Sequence, residues 1–449
     1  MVSFLGLPFF QKRHGFKGFD IEKNVRAAEM IFFRNWHYFL LFFLRKQCAI
    51  QHVFSCRYHR QHTLGEPVPN EIWYNRLYQI VFQHDRDAKL LRELARNGQL
   101  RSLCGFNGKV PTPWAFSRFL HKVLMHQAEV EEMFDDLVRE LKKIVLDFGK
   151  RLAIDSKAIK SYAANKNKNE KEDGRRDLDA DYGKKVYRGT REDGTRWEKI
   201  VKWFGYKLHL IVDASYELPI MFSVTKASVP DINEAHHLLE KMEERQPEIL
   251  KKAEILTGDR GYDDSKLIIN CWDQHAIKPV IDIRNMWKDG ESTRLLNNKQ
   301  NVTYNYKGNV FCHCPSTRIE REMACGGFDK DRNTIRKLCP AKQYGMNCEG
   351  MGKCPVVNGV RIPLSEDRRI FTPIDRASYK WKREYNKRTA VERVNSRIDQ
   401  VLGFENHTIR GIKKMTVRCG LALCVMLAMA LGRIKEKQAQ NMRSLVCAV

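Results

Sequence analysis

The sequence predicts an α/β protein in which a mixed sheet is flanked by helices. Three observations lead there. From about residue 67 to 150, apolar residues recur in steps of three and four. From 151 they gather into short runs and alternating stretches. Strand-like and helix-like segments then follow one another as far as Ile283. Elements that alternate in this way pack as helices on a sheet.

The elements follow in order. Residues 1–66 are rich in Phe, His and Arg and show no clean period, so they are read as an N-terminal arm with no assigned role. Residues 67–150 are helical. Candidates are Asn70–Tyr78, Asp85–Arg96 (closed by Asn97-Gly98), Trp114–Leu124, and Glu129–Phe148 with Met133, Leu137, Leu141 and Ile144 along one face. Charged short helices suit a DNA-binding domain, and a helical cap or dimerisation domain fits equally well. Residues 151–283 form the first part of a catalytic core. Leu152–Ile154 is a short strand leading into Asp155, and 160–200 is a polar, solvated loop. Trp203–Asp213 and Leu218–Thr225 are a strand pair around the turn 214–217. Asp231 caps a helix to Glu244, with Glu234 completing a capping box. Ala253–Leu256 is a strand into Asp259, Ser265–His275 a helix and Lys278–Ile283 a strand. Residues 284–383 break the alternation as a Cys-rich inserted subdomain. Residues 384–435 complete the core with a helix around Glu392 and an apolar helix from 415 to 431, and 436–449 is a tail.

Composition narrows the function. The formal net charge is +25 and the pI about 9.5. Such an excess, spread along the chain, favours a polyanionic partner through counterion release. The apolar runs Tyr38–Leu44 and Cys419–Leu431 fall short of the roughly 20 residues that span a bilayer, so no membrane role is read from them. The chain has 13 cysteines, an odd number, and shows no secretory signal pattern. A reducing cytoplasm fits that usage.

Against this basic background three acidic residues stand out. Asp155 and Asp259 each follow an apolar strand, and Gly258 and Gly261 flank Asp259. Glu392 lies on a helix-like segment with Tyr385 and Arg388, at positions i, i+3 and i+7, which share one face. Carboxylates at strand ends supply the hard oxygen that Mg²⁺ prefers, and paired divalent ions serve phosphodiester chemistry. Arginine suits bidentate contact with phosphate. An ordinary solvated helix face explains Glu392 taken alone; the two strand-end aspartates tip the balance.

The ordered set resembles the DDE-type transposases of bacterial insertion sequences, in the group with a Tyr-x2-Arg-x3-Glu-x6-Lys signature. Tyr385, Arg388 and Glu392 match its first three positions, and Asp399 stands where the signature has Lys. The likeness runs from about residue 70 to 435. It takes in Leu91–Ala95, Trp114–Arg118, the Asp155 strand, Gly205–His209, the Asp259 motif and the Glu392 helix. It implies a ribonuclease-H-like core and two Mg²⁺ or Mn²⁺ ions held by Asp155, Asp259 and Glu392. It also implies double-stranded DNA substrates, the element's terminal inverted repeats and a target, engaged by a homo-oligomer. Cleavage would free a 3′-hydroxyl that attacks target DNA by transesterification. A DNA-binding regulator that lost catalysis, and a nuclease without the joining step, are the alternatives.

Further candidates complete the reading. Tyr385, Arg388, Arg393, Arg397, Lys157 and His209 are assigned to positioning DNA; for His209 the competing view is an ordinary sheet-surface histidine. Asp213 is read as a turn residue, and Asp263 and Asp264 as caps of the following helix. Cys312, Cys314, Cys325, Cys339, Cys348 and Cys354 form the insertion's thiol set. Structural zinc is one reading of it and unligated reduced thiols the other, because the spacing is not a regular pair of Cys-x2-Cys knuckles.

Overall fold

The computed structural model describes residues 79–81, 83–103, 106, 108–163, 177–296 and 299–444. The expected arm at 1–66, the helix at 70–78, most of the polar stretch before 177 and the last five residues lie outside the described residues.

Helices α1 (Asp87–Arg96), α2 (Gly98–Leu103), α3 (Pro113–Met125) and α4 (Gln127–Ile144) come first. The start of α3 is set by sequence: Thr112 accepts a hydrogen bond from the Ala115 amide at 3.2 Å, and Pro113 fits the first turn. The sheet follows, with β1 (Arg151–Lys160), β2 (Asp181–Thr190), β3 (Arg196–Asp213) and β4 (Leu218–Lys226). Then come α5 (Asp231–Arg245), α6 (Pro247–Lys252), β5 (Ile255–Gly258), α7 (Ser265–Ile269) and β6 (Lys278–Ile281). β3 is antiparallel to β1 and β4, whereas β1, β5 and β6 run parallel. The expected mixed sheet flanked by helices is therefore present.

The insertion carries strands β7 to β12 between Thr293 and Leu338, the short helix α8 (Pro340–Tyr344) and β13 (Val360–Pro363). They form a four-stranded and a three-stranded sheet. These enclose a core of their own, including Val302, Val310, Ile335, Ile362 and Phe371. The chain returns through α9 (Tyr379–Tyr385), α10 (Thr389–Leu402) and α11 (Ile412–Lys435). α11 is long and apolar enough to cross a membrane, yet it is almost wholly buried, packed on α4 and β4. Phe134 of α4 meets Phe222 of β4 edge-on at 5.0 Å, so these helices and the sheet share one core.

Several local expectations are corrected. Asp155 does not end a strand: β1 continues to Lys160 because the long β3 offers it partners as far as Gly205. The polar stretch is not all loop. Residues 181–190 and 196–205 pair as a β-ribbon. Asp231 does not cap α5; Pro230 holds that position, and the Asp231 carboxylate accepts from Lys207 at 2.9 Å. The Tyr385–Arg397 segment is not one α-helix, since a 3₁₀ turn at Asn386–Arg388 separates α9 from α10. Asp264 does cap α7, through the Leu267 amide, but Asp263 is buried against Arg369 at 3.0 Å.

Candidate active site

Two aspartates are brought together by register. β1 pairs with β5 in parallel, Ile154 opposite Gly258. Asp155 and Asp259 each come one residue later, on neighbouring strands spaced about 4.8 Å apart. β5 ends there and Asp259 begins a 3₁₀ turn, its Oδ1 accepting from the Gly261 amide at 2.7 Å. Asp155 Oδ1 accepts from the Ser156 amide at 2.7 Å.

The pair is electrostatically strained. Burial, and next the Asp259 charge, push the Asp155 carboxyl up to about 6. Lys185 and Arg388 act in the opposite direction. A raised folded pKa means that Asp155 binds its proton more tightly folded than unfolded. Its penalty on stability is therefore absent near pH 3.8, grows as pH rises toward 6 and persists above. The expected result is that Asp155→Asn melts higher than wild type at pH 7.5 in EDTA. That advantage should shrink toward pH 4, and thermal denaturation across the range checks it.

Glu392 is on α10, half exposed, and its Oε1 accepts from Arg388 Nη1 at 2.8 Å. Arg388 also acts on Asp155, so its guanidinium is near one of the aspartates as well as Glu392. Its charge sits 5.7 Å from the centre of the Tyr385 ring, which stacks on Trp381 at 4.8 Å. Asp259 is among the charges that act on Tyr385. As the side chains stand, no group of three His, Cys, Asp or Glu among the described residues is arranged to hold a metal. Asp155 and Asp259 fit a divalent cation, being adjacent and mutually repelling. Glu392, as it stands, is held by Arg388 instead.

The other predicted positioning residues make contacts within the fold, and Arg393 does so while still exposed. Lys157 makes an ion pair with Asp399 and lies 3.5 Å from Glu405. Residue 399, where the signature has Lys, thus anchors a lysine supplied by β1. Arg393 Nε donates to Glu217 Oε1 at 2.7 Å, and Arg397 donates to the Glu217 and Arg443 carbonyls. Both clamp the β3–β4 turn. His209 is 1% exposed, not at the sheet surface, and its Nε2 meets Thr225 Oγ1 at 2.8 Å. Burial first, then nearby lysines, bring its pKa down to about 4. At the sequence level Lys185 is covered only by the expectation that the lysines and arginines of 157–202 track phosphates, and it is not singled out because it lies in a stretch taken for loop. Asp213 is local, as expected, accepting from the amides of Ser215, Tyr216 and Gly149.

In the insertion, Cys312, Cys314, Cys339, Cys348 and Cys354 line one small cavity with His313 and Arg321. Cys325 is elsewhere, beside Asp375 and Lys337. Among the described residues no three of these thiols are arranged to hold a metal ion as the side chains stand.

Comparison with known proteins identifies the family. A family model described as the transposase DDE domain matches residues 148–428. The chain belongs to that family, and its mixed sheet with flanking helices is consistent with the ribonuclease-H-like transposase fold. No curated protein and no solved structure matches it.

Proposed function

We propose that this transposase binds the terminal inverted repeats of its own insertion sequence, as at least a dimer, and catalyses cleavage and strand transfer there. The observation that carries the reading is the register placing Asp155 beside Asp259. Bound Mg²⁺ or Mn²⁺ would stabilise charge on the attacking and leaving oxygens of the phosphodiester. The protein's part is positional. Asp155 presents its oxygens from β1 and Asp259 from the turn that follows β5, and Glu392 approaches from α10. Arg388, released from Glu392, turns its fork toward phosphate, steadied by the Tyr385–Trp381 stack. The 3′-hydroxyl freed by the first cut remains in the same site to attack target DNA.

The test is incubation of the full chain with Mg²⁺, a plasmid target and a duplex of the DNA flanking the reading frame. Nicked ends and joined products are both expected, and EDTA should remove both. Cut ends without joined products would leave a nuclease, and binding without cutting a regulator. A smaller effect is expected for Arg388→Ala. It frees Glu392 but removes the phosphate contact, so the KM for the duplex should rise roughly tenfold, the equivalent of about 1.4 kcal/mol. Steady-state cleavage kinetics measure it.

A further inference from the structure

The β2–β3 ribbon has no task in the fold. Its ten pairs run from Asp181–Gly205 to Thr190–Arg196. The main sheet ends where the ribbon begins: β1 pairs no further than Gly205, and β4 starts pairing at Tyr206. Gly205 has φ +156°, and a Cβ there would lie 2.1 Å from the Ile159 carbonyl oxygen, so only glycine lets the strand pass this junction. Beyond it the ribbon projects about 30 Å at the usual rise per residue. Residues 196–202 are all exposed.

The ribbon is built to hold its shape alone. Gly183 faces Trp203 and Gly189 faces Trp197. A Cβ on either glycine would come within 2.3 or 2.5 Å of the facing indole, so each ring lies across a glycine. Such pairs stiffen a two-stranded ribbon that is otherwise marginal in water. Its surface is basic and apolar together. Lys184 stands directly opposite Lys202, both exposed, an arrangement that repels unless an anion bridges it. Trp197 and Ile200 are also open to solvent, at 38% and 46% exposure. Midway along the ribbon, opposite Val201, Lys185 is close enough to act on both Asp155 and His209. The middle of the ribbon therefore lies near the carboxylate site.

We propose that this ribbon is an arm that grips duplex DNA beside the scissile phosphate, its lysines on the backbone, its tip in a groove, and Lys185 at the mouth of the Asp155–Asp259 site. The proposal rests on the transposase reading above. A two-stranded ribbon fits the width of the major groove, and charge complementarity selects a polyanion over an apolar partner.

The test uses the full chain and a fluorescein-labelled duplex of the DNA flanking the reading frame, with affinity measured against salt. In K184A/K199A/K202A the slope of log affinity against log salt should fall in magnitude by about 3, near 0.9 per lost phosphate contact. Its melting temperature should match wild type. Lys185→Ala should bind nearly as wild type but cut at least about tenfold more slowly, and Lys185→Arg should restore cutting. If wild type cuts while the triple variant keeps its slope and affinity, the ribbon proposal fails and the transposase reading stands. A triple variant that changes oligomeric state with its salt slope intact makes the ribbon a protein contact and also overturns the proposal. A wild type that neither binds nor cuts the duplex overturns both.

Discussion

Asp155→Ala is expected to lower Mg²⁺-dependent cleavage by about 10³-fold or more while leaving DNA affinity within a few-fold of wild type. The magnitude follows from the role. Metal stabilisation of a phosphodiester transition state supplies several kcal/mol, and each 1.4 kcal/mol or so is tenfold in rate. The aspartate is buried beside Asp259, and the two repel. Under the proposed function a cation would relieve this repulsion and be held by the pair, so either aspartate alone would hold it poorly. Asp259→Ala is therefore expected to match Asp155→Ala. Glu392→Ala should reach a comparable loss only if Glu392 leaves Arg388 in the working complex; otherwise it behaves like loss of an exposed ion pair, with little effect. Gel assays of nicking, together with anisotropy on the same duplex, separate cutting from binding. Misfolding does not explain such a result, because removing the Asp155 charge relieves strain. Wild-type cleavage by all three variants would end the assignment.

The sequence carried some of this site more clearly than the rest. Asp155 and Asp259 were legible because each follows a run of residues that only a buried strand accommodates, and the register then followed from parallel pairing. The buried helix at 415–431 was equally plain, since nothing in it except core packing accounts for thirteen successive residues without a charge from Cys419 to Leu431. The ribbon was not legible. Its strands carry Lys and Arg on both faces, and the signal that does exist, glycine facing tryptophan, requires knowing the pairing first. Arg393, Arg397, Lys157 and His209 looked like DNA contacts because charge alone does not say which way a side chain turns. Glu217, the partner of Arg393, is 176 residues away, and Asp399, the partner of Lys157, is 242 residues away. No local period reveals pairs of that separation.

A second large effect is expected far from the carboxylates. Lys337 of β12 is fully buried and meets Asp375 at 2.7 Å, with Asp375 4% exposed. The contact is a charge pair more than a well-directed hydrogen bond. Removing one partner leaves the other charge stranded, which costs about 3–5 kcal/mol. Asp375→Ala should therefore lower the urea midpoint by that equivalent with an unchanged slope. Lys337→Met combined with Asp375→Leu should recover most of it, because an apolar pair of similar volume needs no counter-charge. The pair also ties the insertion to α9. The Asp375 carbonyl accepts from Ser378 Oγ at 2.6 Å, and Ser378 caps α9 through the Trp381 amide at 3.1 Å. α9 ends at Tyr385, and Arg388 follows within one turn. Loosening Asp375 thus frees the start of the helix that leads to Tyr385 and Arg388. Asp375→Ala is expected to lose cleavage at temperatures where it is still folded, whereas the apolar double variant regains stability more fully than activity. Activity that tracks the folded fraction in both variants would show that the insertion stabilises the protein without positioning its site.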